Sequence, residues 1–220
     1  SSAFGVCNNL KKIEIKPDSE LQFIEKMAFI KASIEKIVIP KQVTEIGQFA
    51  FYQCKNLKTV VIPQDSELKI IDEYAFAESS IEFIYIPSNV TKIANNAFNS
   101  CTELRTVEIE KNSILNYIGE CAFNKTPIRS IDIPSQVQII DNKAFNKCIF
   151  LSKVEIHEES QLRKIGDKAF KKASIDSTIC IPPHVTMIGK LAFYQCKFLC
   201  SVKIPKDSEL KYIGEYAFYN

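Results

Sequence analysis

Only two histidines, His157 and His184, and six glycines occur among 220 residues. Each histidine follows a predicted strand end closely and reads as a solvated turn residue rather than a general base. No Gly-x-Ser-x-Gly elbow is present, and no glycine-rich phosphate loop. The carboxylates are abundant, but they recur with a sequence period, as scaffold turns do. No catalytic residues, metal site or cofactor are expected, so the chain is read as non-enzymatic. An excess of one charge is also missing, since 28 basic residues face 26 acidic ones for a net charge of +2. That balance gives no electrostatic footprint for nucleic acid. No basic amphipathic segment is present for a membrane surface. No apolar run approaches the length of a membrane span, so direct membrane insertion is not expected.

What the sequence has is a beat. The dipeptide Ala-Phe recurs ten times, with its phenylalanines at Phe4, Phe29, Phe51, Phe76, Phe98, Phe123, Phe145, Phe170, Phe193 and Phe218. Their spacings alternate between 25 and 22 residues, with one of 23. Such regularity marks a solenoid of stacked units, each too small to bury its own core. The expectation is about nine coils forming one array over 1–220. Neither end shows an atypical capping unit, which reads as a piece of a longer repeat protein.

Three patterns fill each unit. The first is L/I-x-x-I/V-x-I, as in Leu57, Val60 and Ile62, whose closing alternation predicts a strand with one buried face. Proline follows its last isoleucine in most units (Pro40, Pro63, Pro87, Pro134, Pro182, Pro205) and, lacking an N–H, ends the strand. The second is L/V-x-x-I, as in Leu68 and Ile71. The third is Ala-Phe itself, expected in a tight helical turn on the outer side. Stacked coils would then place the first-pattern strands in one parallel sheet and the phenylalanines in a spine. The 23-residue unit has an extra residue between Ile175 and Ile179, expected as a bulge in that strand. Asp18, Asp65 and Asp207 open Asp-Ser-Glu-Leu turns and are expected to bond their own backbone.

L-x-x-I-x-I followed by L-x-x-I-x-x-x-A-F-x-x-C, kept through the whole chain, resembles the BspA-like, or Treponema-type, leucine-rich repeats. The resemblance implies a leucine-rich-repeat solenoid (an α/β superhelix, rich in β). A parallel sheet would line its concave face, with short helical turns on the convex side. It also implies a surface protein of bacteria or parasitic protists, attached to host cells or to matrix proteins such as fibronectin. The repeat motif encodes the scaffold and not the ligand.

Five of eight cysteines sit three residues past an anchor phenylalanine: Cys7, Cys54, Cys101, Cys148 and Cys196. Neighbours in this column lie two coils apart, about 10 Å by strand spacing, beyond the roughly 7 Å limit for a disulfide. They read as small buried hydrophobes. Cys121, Cys180 and Cys200 break the pattern, and Cys180 is expected on the solvent side of its strand. With Cys196 pointing inward, Cys180, His184, Cys196 and Cys200 do not converge as zinc requires. Free thiols suit a cytoplasmic protein-interaction scaffold, whereas the resemblance implies a cell-surface or secreted protein; a structural spacer that holds another domain away from the cell is the third reading. Two glycosylation sequons begin at Asn89 and Asn124.

The residues that vary between units lie on the outward side of the strands, the expected concave face. Val38, Val61, Phe83 and Tyr85 form an apolar, aromatic zone. Glu108, Asp132 and Glu155 form an acidic stripe, bordered by Arg105 and Arg129. Val38 and Val61 also simply suit a strand, and the acids also suit a solvated face. The functional alternative is a binding surface for a protein or glycoprotein, with Phe83 and Tyr85 as its anchors.

Overall fold

The alternation of the first pattern yields a short strand in each coil. The structure is a computed structural model that describes residues 3–16 and 18–220. Among these residues the long-strand face comprises Lys36–Val38, Thr59–Val61, Phe83–Ile86, Thr106–Ile109, Ser130–Ile133, Lys153–Ile156, Thr178–Cys180 and Ser201–Lys203. Lys12 bridges to Lys36 at the same place in the first coil. The pairing is parallel and in register, with Ile84 opposite Val107 and Ile131 opposite Val154, but it divides into one sheet of four strands and two of two strands, with breaks after Thr106–Ile109 and Lys153–Ile156, rather than the single expected sheet. These inward residues are buried, while their neighbours Phe83, Thr106, Ser130 and Lys153 are exposed. The prolines lie just past the strand ends. Their carbonyls accept the N–H three residues on, Val43 to Pro40 and Val90 to Pro87 both at 3.1 Å, which turns the chain away from the sheet.

The expected bulge is corrected. Thr178, Ile179 and Cys180 pair in register with Ser201, Val202 and Lys203. The surplus residue is taken up in a bend at Ser177, ahead of the strand. An insertion is absorbed more easily where no ladder has to be interrupted.

The second pattern forms a sheet of its own, which the single expected sheet did not include. Nine two-residue strands, from Phe23–Ile24 to Tyr212–Ile213, make one continuous parallel ladder. Its inward column is isoleucine throughout: Ile24, Ile46, Ile71, Ile93, Ile118, Ile140, Ile165, Ile188 and Ile213. Two residues give only one alternation, too few for a period-2 signal in sequence. The glycine after several of these isoleucines serves close approach rather than unusual φ. A Cβ on Gly119 would stand 2.6 Å from the Ala94 carbonyl carbon of the preceding coil.

The helical turns expected around Ala-Phe are absent, and no helix occurs among the described residues. In each coil the residues two before and two after the phenylalanine take left-handed φ, such as Phe49 at 58° and Gln53 at 56°. A left-handed residue breaks a right-handed helix and costs an L-amino acid about 1–2 kcal/mol. An inter-coil bond offsets that cost. The N–H groups of Phe49, Phe51 and Gln53 donate to the carbonyls of Glu73, Ala75 and Ala77 in the next coil at 2.9, 2.7 and 2.9 Å. Between them, Ala50, Tyr52 and Cys54 donate three residues back within their own coil. The turn side is thus a third inter-coil ladder.

Inside these walls the ten phenylalanines stack in one column. Ring centroids are 5.0–5.4 Å apart and the planes lie within 9° of parallel. At that spacing, parallel rings meet the preferred offset-stacked geometry. The serine of each Asp-Ser-Glu-Leu turn, rather than the expected aspartate, makes the side-chain bond. Leu68 N–H donates to Ser66 Oγ at 3.2 Å, and Leu21 and Leu210 do the same to Ser19 and Ser208. Ser66 is fully buried and needs that partner. Asp65 is exposed and faces Lys41 at 3.6 Å.

The cysteine column is buried in its interior members, and each thiol also has a donor role. Cys54, Cys101, Cys148 and Cys196 give Sγ–H to the carbonyls of Phe29, Phe76, Phe123 and Phe170 at 3.0–3.1 Å. Burial pushes all four thiols up to about 12. Cys180 is exposed, as its register implied, Cys200 just before the next strand is exposed too, and all eight cysteines are free.

Two outcomes follow from this packing. Phe98→Ala empties the middle of the stack and should lower the unfolding free energy by about 3–5 kcal/mol in urea denaturation; a loss under 1 kcal/mol would mean the column is not core. With an aromatic disulfide reagent at mildly alkaline pH, Cys180 and Cys200 should react at once. The four buried thiols should react only on unfolding, since the thiolate is the nucleophile. Fast titration of all eight in the native protein would contradict their burial.

Candidate functional site

Each long strand presents two side chains outward because its period is two. The inner of these columns holds Val38, Val61, Tyr85, Glu108, Asp132, Glu155, Cys180 and Lys203. Val38 lies opposite Val61, Tyr85 opposite Glu108, and Asp132 opposite Glu155. The other column runs Lys36, Thr59, Phe83, Thr106, Ser130, Lys153, Thr178 and Ser201. Phe83 pairs with Thr59 on one side and Thr106 on the other. The two predicted zones therefore meet at the Tyr85–Glu108 pair, apolar at Val38 and Val61 and acidic from Glu108 to Glu155, with a break in the strand pairing between Glu108 and Asp132.

The aromatic anchors differ in kind. Phe83 is 41% exposed, and Val38 and Val61 are 37% and 38% exposed. Tyr85 is half-buried and packs on the core. Its hydroxyl is shielded from solvent without a well-directed hydrogen bond. Burial, and then the nearby Glu110 carboxylate, push its ionisation up to about 12. Phe83 is the projecting member of the pair, and Tyr85 is the floor beside it.

Two members of the acidic stripe have local partners, and these are not the arginines expected to border it. Arg105 turns to Glu103 at 3.0 Å, two residues away in its own turn. Arg129 is exposed at the edge, and among the described residues no carboxylate pairs with it. Lys153 pairs with Glu155 on the same strand and holds that carboxyl below its ordinary range. His157 Nε2 lies 2.9 Å from Asp132 Oδ1. Sequence reasoning placed His157 in a solvated turn and missed this contact. The available signal was that His157 is two residues past Glu155, hence on the same face, while Glu155 neighbours Asp132. Glu108 remains without such a partner among the described residues.

A second polar cluster lies on the outward side of the nine-stranded sheet. Tyr117 Oη donates to Asp141 Oδ2 at 2.8 Å, and Lys164 Nζ approaches Asp141 Oδ1 at 2.8 Å. Burial and that carboxylate push Tyr117 upward. Tyr117 and Lys164 stand in register on either side of Ile139, and Asp141 follows the end of that middle strand, so its carboxylate links the two flanking strands. Among the described residues no group of histidine, cysteine and acidic side chains converges as metal ligands would. No helix is long and apolar enough to cross a membrane.

The sequons separate on burial. The Asn124 side chain is 8% exposed and sits in an asparagine ladder. It donates to Asn99 Oδ1 at 2.9 Å and accepts from Asn146 Nδ2 at 2.8 Å, leaving its amide closed to a glycan in the folded protein. Asn89 is exposed, and its amide donates to the Ser66 carbonyl at 2.8 Å.

The same architecture is found in solved structures. A leucine-rich repeat protein of Bacteroides ovatus superposes with a TM-score of 0.58 at 25% identity, over 89% of this chain and 67% of that one. The pneumococcal vaccine antigen PcpA gives 0.60 at 19% identity, over 84% of this chain and 59% of that one. A Treponema pallidum leucine-rich repeat protein gives 0.57 at 22%, over 87% and 77%. The chain thus spans under two thirds of the pneumococcal protein. No functionally curated protein matches the sequence. The description "BspA type leucine rich repeat region" matches in six copies, with residues 1–105, 69–198 and 116–220 covered. With the inward isoleucines, the phenylalanine column and this match in agreement along its length, the chain belongs to the BspA-type leucine-rich-repeat family.

Proposed function

We propose that this chain is a non-enzymatic recognition module of a cell-surface adhesion protein, binding a protein or glycoprotein through its long-strand face. The observation that carries the reading is Phe83. It projects from a parallel sheet whose same face exposes Val38 and Val61, with carboxylates beyond at Glu108, Asp132 and Glu155. An exposed aromatic in an apolar patch with a charged border has the composition of a binding hot spot. Membership in a family associated with attachment to host cells and matrix proteins supports the surface location. A pneumococcal protein of the same fold is a vaccine antigen. The free, exposed Cys180 and Cys200 favour a second reading, an intracellular scaffold that uses the same face.

Two measurements test this. Antibody staining of intact cells carrying the parent protein should show surface signal; signal only after permeabilisation favours the intracellular scaffold. Against immobilised fibronectin as the probe, Phe83→Ser should weaken binding at least about tenfold, as loss of a hot-spot aromatic does, with thermal stability nearly unchanged. Tyr85→Ser should weaken binding and also destabilise, because Tyr85 is part floor. Equal affinity of Phe83→Ser and wild type would overturn the role of this face.

A further inference from the structure

The turn side of the later coils carries a strip of lysines that the scaffold does not require. Lys125, Lys147 and Lys172 occupy the left-handed position two residues past the phenylalanine in three successive coils. Lys143 and Lys168 occupy the left-handed position two residues before it. In earlier coils the same positions hold Met27, Lys31, Phe49, Gln53, Tyr74, Glu78, Asn96 and Ser100, so the backbone conformation does not select lysine. Asparagine is the residue that tolerates this conformation best after glycine.

Stacking sets these charges one coil apart. Lys125 N–H bonds the carbonyl of Asn146, and Lys147 N–H that of Lys171, so each coil's lysine sits directly on the next. The phenylalanines beneath are 5.2–5.4 Å apart along this stretch. Glu120 pairs with Lys143 at 3.2 Å. Asp167 at the margin of the strip accepts the backbone N–H of Lys190. Among the described residues no carboxylate pairs with Lys125, Lys147, Lys168, Lys171 or Lys172.

Lys171 joins the strip at a structural cost. It takes the place of an asparagine in the ladder Asn99, Asn124, Asn146, and Asn146 Oδ1 is left buried without a partner. The Lys171 ammonium lies instead 5.0 Å over the Tyr194 ring. Burial, then Lys168, Lys172 and Lys147, hold its ionisation below the ordinary lysine range. Like charges gathered at this spacing are mutually repulsive and destabilising unless a counter-charge arrives.

We infer that this lysine strip is a binding surface for a linear sulfated polysaccharide, separate from the long-strand face. The lysines run in file along the solenoid axis, which suits a chain that presents repeated anionic groups along its length. No arginine contributes the planar fork that favours bidentate phosphate. Recognition is by point charges, so binding is salt-dependent.

The test uses heparin as the probe, beside a plain sulfonate resin and single-stranded DNA. Wild type should elute from heparin at higher salt than from the sulfonate resin. Lys147→Gln with Lys172→Gln should abolish that difference and weaken heparin binding by roughly tenfold, as removal of two contacts to a polyanion does. The charge-matched pair Lys11→Gln with Lys69→Gln should retain both properties. Phe83→Ser should also bind heparin normally, which separates failure of this surface from failure of the long-strand face. Equal elution from the two resins, equal loss in the Lys11/Lys69 pair, or DNA binding as tight as heparin would each overturn the inference.

Discussion

Each coil must leave its backbone in hydrogen-bonding register with the next on three sides at once, and most of the structure follows from that constraint. Two sides use extended strands. The third, around the Ala-Phe dipeptide, has to reverse direction and still offer N–H groups along the solenoid axis. A helical turn cannot do this, because its N–H groups point back along its own chain. Left-handed residues bracketing Ala-Phe release alternate N–H groups to the neighbouring coil, at Phe49, Phe51 and Gln53 for example. The ladder then fixes the coil spacing. That spacing brings the phenylalanine rings to 5.0–5.4 Å, lets Cys54 Sγ reach the Phe29 carbonyl, and leaves no room for a Cβ at Gly119.

The sequence showed the repeat, the first strand column, the proline stops and the buried cysteines, because each recurs at fixed offsets from Phe51, Phe98 and their equivalents. It hid the second sheet, whose strands at Phe23–Ile24 and Glu45–Ile46 are too short to alternate. It also hid the left-handed positions. Their residues range from Phe49 to Lys147 with no glycine among them, so composition gives no sign of the conformation. The serine at Ser66 was visible as part of a recurring tetrapeptide. Its role was assigned to Asp65, since both side chains can cap a turn and only burial decides between them.

Of the candidate surface, the two zones on the long strands were legible from alternation alone. What contacts what was not. Arg105 turns to Glu103, and Asp132 is met by His157, because side-chain pairing depends on which strand lies alongside. The lysine strip escaped a net charge of +2 in the same way: it becomes a cluster only when Lys125, Lys147 and Lys172 are stacked. Every such surface rests on the same ladders, and variation at outward positions leaves the inward isoleucines and phenylalanines untouched.

The third ladder is the feature on which the architecture depends, and amide hydrogen exchange tests it residue by residue. The N–H groups of Gln53, Lys125 and Lys147 belong to left-handed residues in surface turns, and each donates to the next coil at 2.8–2.9 Å. They should exchange as slowly as the strand amides of Ile84 and Ile131, because exchange requires coils to separate. Exchange of those three at the rate of an open turn, with the strand amides still protected, would contradict an inter-coil ladder on the turn side.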